Sequence, residues 1–341
     1  MASWPYVFAS QPAGNVPASY LDSNFNAAMF SAGTSQNGYV PVWSGTAGNL
    51  LAGGWAIGTS ANNLVQLNGS AQLPAVDGSL LTGIGSALVP WNYIAGYTLS
   101  NDAGSPNTVL DIAAGSAADS TNTQNINLGS AYTKSTAGLW AAGTGANGMG
   151  VGLTIANSTW YHVFAIINAG NPDVYFDTSV TAANKPVGTT YFRRIGSFLT
   201  DGSAHIISFT QNGSYFAWGT AVLDVNDTNP GTSAVLKTLA SVPTGVNVFA
   251  RLNIKPTFAS TGSAVLFVSD PATSDQAPSN TAAPLGTNGA TSAPAGAVPG
   301  GYQEVLTSTS AQIRYRLSAS GASDVVRMAT LGWIDSRGAN N

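Results

Sequence analysis

Four side-chain oxygen donors, Asp224, Asn226, Asp227 and Asn229, fall within six residues of the phrase DVNDTNPG, a density that could ligate Ca²⁺. The register departs from that of an EF-hand and no Glu closes the loop, so a turn built on Asx hydrogen bonds is the better expectation. Metal is therefore not expected.

Other reactive residue types are sparse. The two histidines, His162 in WYHVF and His205 in SAHIIS, sit in apolar runs and are expected to end in a core hydrogen bond or a subunit contact. Neither has a carboxylate at a spacing that would orient it for acid–base work. Asp102, Asp111 and Asp119 are expected to satisfy backbone amides at turns and strand ends, since no His or Glu stands beside them. Arg193 and Arg194 are adjacent on an expected strand and so point to opposite faces, where one could meet a partner carboxylate or a sugar. Serines abound, yet no G-x-S-x-G elbow occurs, and no pair of placed carboxylates suggests a glycosidase. The chain is expected to be non-enzymatic, without cofactor.

Stepping from these residues to what must position them, composition argues for strands and turns. Charged residues make up 8% of the 341, Glu304 is the single glutamate, and Gly, Ala, Ser, Thr and Asn are abundant. Exposed helix faces need Glu, Lys, Arg and Gln, so an all-β fold is expected. Neutral hydroxyls and amides also allow close packing against identical copies without desolvating charge. The net charge is −4 and no basic residue precedes Lys134, which argues against nucleic-acid binding. No run of about 18 apolar residues occurs, so membrane insertion is not expected. The chain contains no Cys, excluding disulfides and thiolate sites. The opening MASWPYVFASQPAGNVP lacks a basic n-region and an uninterrupted apolar core, so no signal peptide is read there.

Strands are expected at 94–99, 108–112, 159–167, 173–177, 191–198, 205–211, 215–217, 220–225, 246–254, 263–268, 303–306, 311–317 and 325–334. Their number and spacing indicate a β-sandwich, jelly-roll-like in strand count, over residues 91–341. Its core should hold Trp160, Phe164, Tyr175, Phe176, Phe192, Ile207, Phe209, Trp218, Val248, Leu252, Phe267 and Trp333. Residues 269–301 are low in complexity and are expected to be an irregular surface loop.

The first 90 residues read differently. Leu21, Phe25, Ala28 and Met29 could share one face of a short helix started by Pro17 and Ser19. Trp43 and Trp55, in WSGTAGNLL and WAIGTSANNLV, hint at a degenerate repeat with a 12-residue spacing. In NNLVQLNGSAQLPAVDGSLLTGI, Leu64, Leu67, Leu73, Val76, Leu80, Leu81 and Ile84 recur as single apolar teeth that one copy cannot bury. Three parallel copies about a common axis could bury them, giving a thin trimeric shaft. An irregular linker between two domains is the plainer alternative.

The run LNGSAQLPAVDGSLLTGI resembles the linker of tail fibres and related tail proteins of tailed bacteriophages. PASYLDSNFNA is similar to the N-terminal ends of such proteins, which carry an "L-D-x-N-F" element thought to dock to the tail. LSNDAGSPNTVLDIAAGSA and the stretch WYHVFAIINAGNPDVYFDTS with YFRRIGSFLTDGSAHIISFTQNGSYFAW also look like phage tail proteins. The matches cover most of residues 15–220.

What the resemblance implies is a virion protein: residues 1–40 an anchor binding other tail proteins through Leu21, Asn24 and Phe25, residues 41–90 a fibre-like shaft with trimer contacts at Leu64, Leu67, Leu73, Leu80 and Leu81, and residues 91–341 the head. A self-contained helical cap is an equal reading of 1–40. The implied function is attachment to the bacterial host surface, through polysaccharide or protein, by a homotrimer assembled in the host cytoplasm. The alternative is a head or collar decoration, or a fibre protein binding other virion proteins.

Overall fold

A computed structural model describes residues 39–40, 43–44, 49–50, 55–56, 90–261, 264–279, 288–290 and 300–339. The anchor residues Leu21, Asn24 and Phe25 and the shaft residues Leu64, Leu67, Leu73, Leu80 and Leu81 lie outside them, as does most of the 269–301 stretch. The chain divides into two compact units, Met1–Gly85 and Ser86–Asn341.

In the first unit Tyr39–Val40 pairs antiparallel with Trp55–Ala56, and Trp43–Ser44 with Asn49–Leu50. Trp43 and Trp55 therefore belong to nested antiparallel pairs.

The described residues of the second unit contain only strands and their connections, so the unit is all-β. In order these are β1 (Ile94–Gly96), β2 (Leu99–Asn101), β3 (Val109–Ile112), β4 (Gly115–Ala118), β5 (Asn125–Leu128), β6 (Tyr132–Leu139), β7 (Asn147–Met149), β8 (Trp160–Asn168), β9 (Asn171–Asp177) and β10 (Thr189–Leu199). There follow β11 (Phe209–Asn212), β12 (Tyr215–Thr228), β13 (Val235–Thr238), β14 (Phe249–Phe258), β15 (Ala264–Ser269), β16 (Asn288–Ala290), β17 (Gly301–Leu306), β18 (Gln312–Leu317) and β19 (Asp324–Ile334).

Twelve strands form one sheet in the order β10-β8-β9-β7-β6-β3-β2-β11-β12-β19-β14-β17, flanked by a three-stranded sheet, β1-β4-β5, and a four-stranded sheet, β13-β18-β15-β16. Most neighbours are antiparallel, but β7 runs parallel to both β6 and β9. The expected strand 94–99 is split: β1 joins the small sheet and β2 the large one, with Tyr97 at φ 54° between them. The expected pieces 215–217 and 220–225 are one continuous strand, β12, with an irregular register between Ala217 and Val222.

Burial explains which strands pair where. β8 is apolar along nearly its whole length and buried on both faces, as a central strand must be. On one face Val163 and Ala165 join the main core; on the other Phe164 and Ile166 pack with Tyr175 in a second cluster, against which Phe192 and Trp140 lie. Alternation divides the neighbouring pair Tyr175 and Phe176 between the two clusters. The β8–β9 turn is two residues, Ala169 and Gly170, both at positive φ (47° and 82°), which matches the twist of the flanking strands.

The four-stranded sheet gives Leu266, Val268, Ile313, Tyr315 and Leu317 to the same core as Val225, Leu252, Ile254 and Met328 of the large sheet. Phe267, expected inside, is half-buried, because in β15 it alternates with the core residues Leu266 and Val268 and so faces the other way. At the centre of the core Trp333 stacks on Phe216 at 4.9 Å and meets Trp218 at 5.0 Å and Trp160 edge-on at 5.4 Å. Each buried ring contributes roughly 1.5–3 kcal/mol and each well-oriented pair about 0.5–1.5 kcal/mol more.

Candidate functional site

The oxygen donors of the 224–229 phrase do not converge. Asp224, Asn226 and Asp227 lie in β12, where alternation sends neighbours to opposite faces. Asp224 accepts from the Ser241 and Thr330 hydroxyls. Asp227 faces Lys237 at 2.7 Å and the Tyr315 hydroxyl at 2.6 Å. Asn229 accepts from Ser320 at 3.1 Å. The expected Asx turn is instead the end of a long strand, its carboxylates joined to Ser241, Thr330, Lys237 and Tyr315 of other segments.

His162 is buried, with Nδ1 2.9 Å from the Ser197 hydroxyl. Burial, reinforced by the Arg194 charge, lowers its pKa to about 4, so the ring is neutral at pH 7. His205, by contrast, is half-exposed in a loop, 3.5 Å from Asp201 four residues earlier. A turn through Asp201-Gly202, held by Asp201 accepting the His205 amide, makes that carboxylate a neighbour. The strand expected at 205–211 therefore begins at Phe209.

Asp102 accepts the amides of Gly104 and Ser105, and Asp119 those of Thr121, Thr123 and Gln124, as turn residues do. Burial works against the Asp119 charge, yet the Thr121 hydroxyl and these amides hold its carboxyl below the usual range. Asp111 is inside β3; burial and the nearby Asp102 raise its carboxyl. Arg193 and Arg194 are not outward-facing sugar ligands. Arg194 pairs with the buried Asp335 through two bonds of 2.8 and 2.6 Å, and Arg193 is itself buried.

Among the described residues, a surface of exposed and half-buried rings and charges lies on the outward side of β12, β19, β14 and β17. Register puts Tyr215, Ile334, Phe249 and Leu306 in one row, and Ala217, Gly332, Arg251 and Glu304 in the next. Leu223, Ala329, Asn253 and Tyr302 form the third. In β14 the alternation is plain: Phe249 and Asn253 are exposed and Arg251 half-buried, while Ala250, Leu252 and Ile254 face the core.

Gly332, at φ 153°, has no side chain between β12 and β14; a Cβ there would lie 2.0 Å from the Phe216 carbonyl oxygen. Over that gap the Arg251 guanidinium lies 4.0 Å from the Tyr215 ring centroid and 4.9 Å from that of Tyr302. Glu304 completes the group, 3.2 Å from Arg251 Nε. The Tyr302 hydroxyl accepts from Arg251 and donates to Glu304. Partial burial, then that bond to Glu304, keeps the hydroxyl protonated above its usual range.

Tyr302 is 50% exposed and Phe249 46%. Two rings thus gather about one guanidinium, with a carboxylate and an amide (Asn253) at the margin. Such a surface can stack on the apolar face of a pyranose and hydrogen-bond its hydroxyls.

These residues went unnoticed in the sequence. A signal was present, since F-A-R-L-N-I-K and G-Y-Q-E place aromatic, Arg and Glu at period two on strands whose other positions are apolar or polar-small. The pairing across about 50 residues that joins them could not be read.

No family model and no curated protein matches the chain. Among solved structures it is matched to a Bacillus thuringiensis Cry1Da tryptic core variant, with 10% identity and a TM-score of 0.17 over 71% of this chain and 51% of that one. The chain thus spans about half of that protein's length, and a likeness so low carries no inference about fold or function.

Proposed function

We propose that the chain is a non-enzymatic virion protein of a tailed bacteriophage, a tail-fibre or tail-tip component that attaches to host-surface glycan through the outward face around Arg251. The observation that carries the glycan part is the Tyr215–Arg251–Tyr302 group, with Tyr302 exposed, Tyr215 and Arg251 half-buried, and Glu304 and Asn253 bordering it. The tail assignment is supported by the sequence resemblance over residues 15–220. In this reading residues 1–40 anchor the protein, residues 41–90 form a trimeric shaft, and the second unit is a sandwich head presenting the binding face.

A surface rich in neutral amides and hydroxyls suits this role, because it neither repels a charged cell envelope nor binds it indiscriminately. Labelling of intact virions with antibody to residues 139–341, viewed by electron microscopy, tests the assignment. Label at the distal end of the tail or its fibres is expected. Label over the capsid or collar would replace adhesion with a decorating role, in which exposed Phe249 and Leu223 meet a neighbouring virion protein.

A further inference from the structure

Three of the arginines, Arg193, Arg194 and Arg337, line a single cavity of about 450 Å³ in the second unit, whose lining includes none of Tyr215, Arg251, Asn253, Tyr302 or Glu304. Arg194 is committed to Asp335 and also donates to Ser197 at 3.0 Å. Arg193 donates to the Arg337 carbonyl at 2.8 Å, to the Asn92 carbonyl at 3.2 Å and to the Asn92 side-chain oxygen at 3.4 Å. Arg337 donates to the Gly96 carbonyl at 3.2 Å. Both Arg193 and Arg337 are more than nine-tenths buried, and in each the Nε–H is buried without an acceptor among the described residues.

Carbonyl and amide oxygens satisfy N–H groups but neutralise no charge. Asp335 is the carboxylate on the cavity wall; Asp119 is felt by Arg193, but its oxygens hold the amides of its own turn. Positive charge is therefore in excess at a desolvated site, a costly arrangement unless an anion completes it. Burial first, then the Arg194 charge, lowers the proton affinity of Arg193; burial lowers that of Arg337 too, against the pull of Asp335 and with the help of Arg194 and Arg193. The guanidinium fork suits carboxylate and phosphate oxygens, and Phe164, Phe192 and Val180 give the cavity an apolar side. The volume is that of a small-molecule site.

We propose that this cavity binds a small oxyanionic ligand, a compact molecule bearing a carboxylate or phosphate group held by Arg193 and Arg337. The site is independent of the glycan reading and would stand if that reading failed.

Isothermal titration of the full chain at low salt with inorganic phosphate, with D-glucuronate and with D-glucose tests it. Saturable binding of one or both anions at one site per chain is expected, with none of glucose; phosphate alone would identify a phosphoryl ligand and glucuronate alone an acidic sugar. Arg337→Gln should weaken binding about tenfold or more. Should that variant fail to fold, Ser336→Asp, which adds a carboxylate at the half-buried rim and removes no arginine, should weaken it comparably with the thermal transition retained. Absence of binding by either anion to the folded chain overturns the proposal. So does anion binding that a folded variant leaves unchanged, which would mark an adventitious ion only.

Discussion

Arg251 does at the surface what Trp333 does in the core: it gathers rings from two other strands around itself. Its neighbours Tyr302 and Glu304 are partly exposed, so the ion pair contributes little to stability, about 1 kcal/mol or less. Arg251→Ala is therefore expected to leave unfolding in urea nearly unchanged while lowering glycan affinity about tenfold, the effect of losing a stacked, desolvated contact. Arg251→Lys should rescue only part of it, because an ammonium cannot lie flat between two rings.

His162 supplies a second test at this scale. The folded protein leaves it neutral down to about pH 4, whereas in the unfolded chain it takes a proton near its ordinary value of 6.5. The unfolded state thus binds more protons between those values, and stability is full above pH 6.5 and falls as the pH drops towards 4, by on the order of 3 kcal/mol. His162→Gln should flatten the upper part of that decline in urea unfolding followed from pH 7 to 5. Burial opposes ionisation of Asp335 too, but Arg194 holds its carboxyl below the usual range, so its contribution disappears only at lower pH.

At the scale of elements, the long apolar strands were legible and the short polar ones were not. β8, β9, β10, β14, β15, β17, β18 and β19 were anticipated within a few residues, because bulky apolar or alternating residues bounded by Gly and Asn leave little choice. β4 (GSAA), β5 (NINL), β7 (NGM) and β13 (VLKT) carry too few apolar residues to announce a strand; they exist because the sheets beside them offer unpaired edges. β6 was missed for a sharper reason. Its YTKSTAGL looks like exposed polar chain, yet Lys134 is fully buried, 2.8 Å from Asp173 on β9 and 2.7 Å from the Ala141 carbonyl. Lys134→Met should destabilise the protein by about 3 kcal/mol or more, since it leaves the Asp173 charge buried without its partner. Thermal denaturation would show it, and Lys134→Met combined with Asp173→Asn should recover much of the loss. The candidate binding face was illegible for a different reason: its strands were anticipated, but its residues meet only through long-range register.

At the scale of the whole molecule, one twelve-stranded sheet shares its core with two smaller sheets, and its edge strand β17 carries Tyr302 and Glu304. All-β composition was readable from the lack of Glu and Lys; the parallel insertion of β7 was not, because nothing in three residues encodes direction. The shaft reading at Leu64, Leu67, Leu73, Leu80 and Leu81 lies outside the described residues and makes its own prediction. Light scattering of the full chain should give three times the 34.6 kDa of one copy, and a monodisperse monomer would remove the shaft from the account.

Binding of the full chain to an array of bacterial surface polysaccharides, with wild type beside Arg251→Ala and Tyr302→Ala, tests the central claim most directly. Binding to a defined set of glycans that both substitutions weaken about tenfold, in variants with unchanged thermal transitions, is the predicted result. Glycan binding that both variants retain at wild-type affinity would contradict the account.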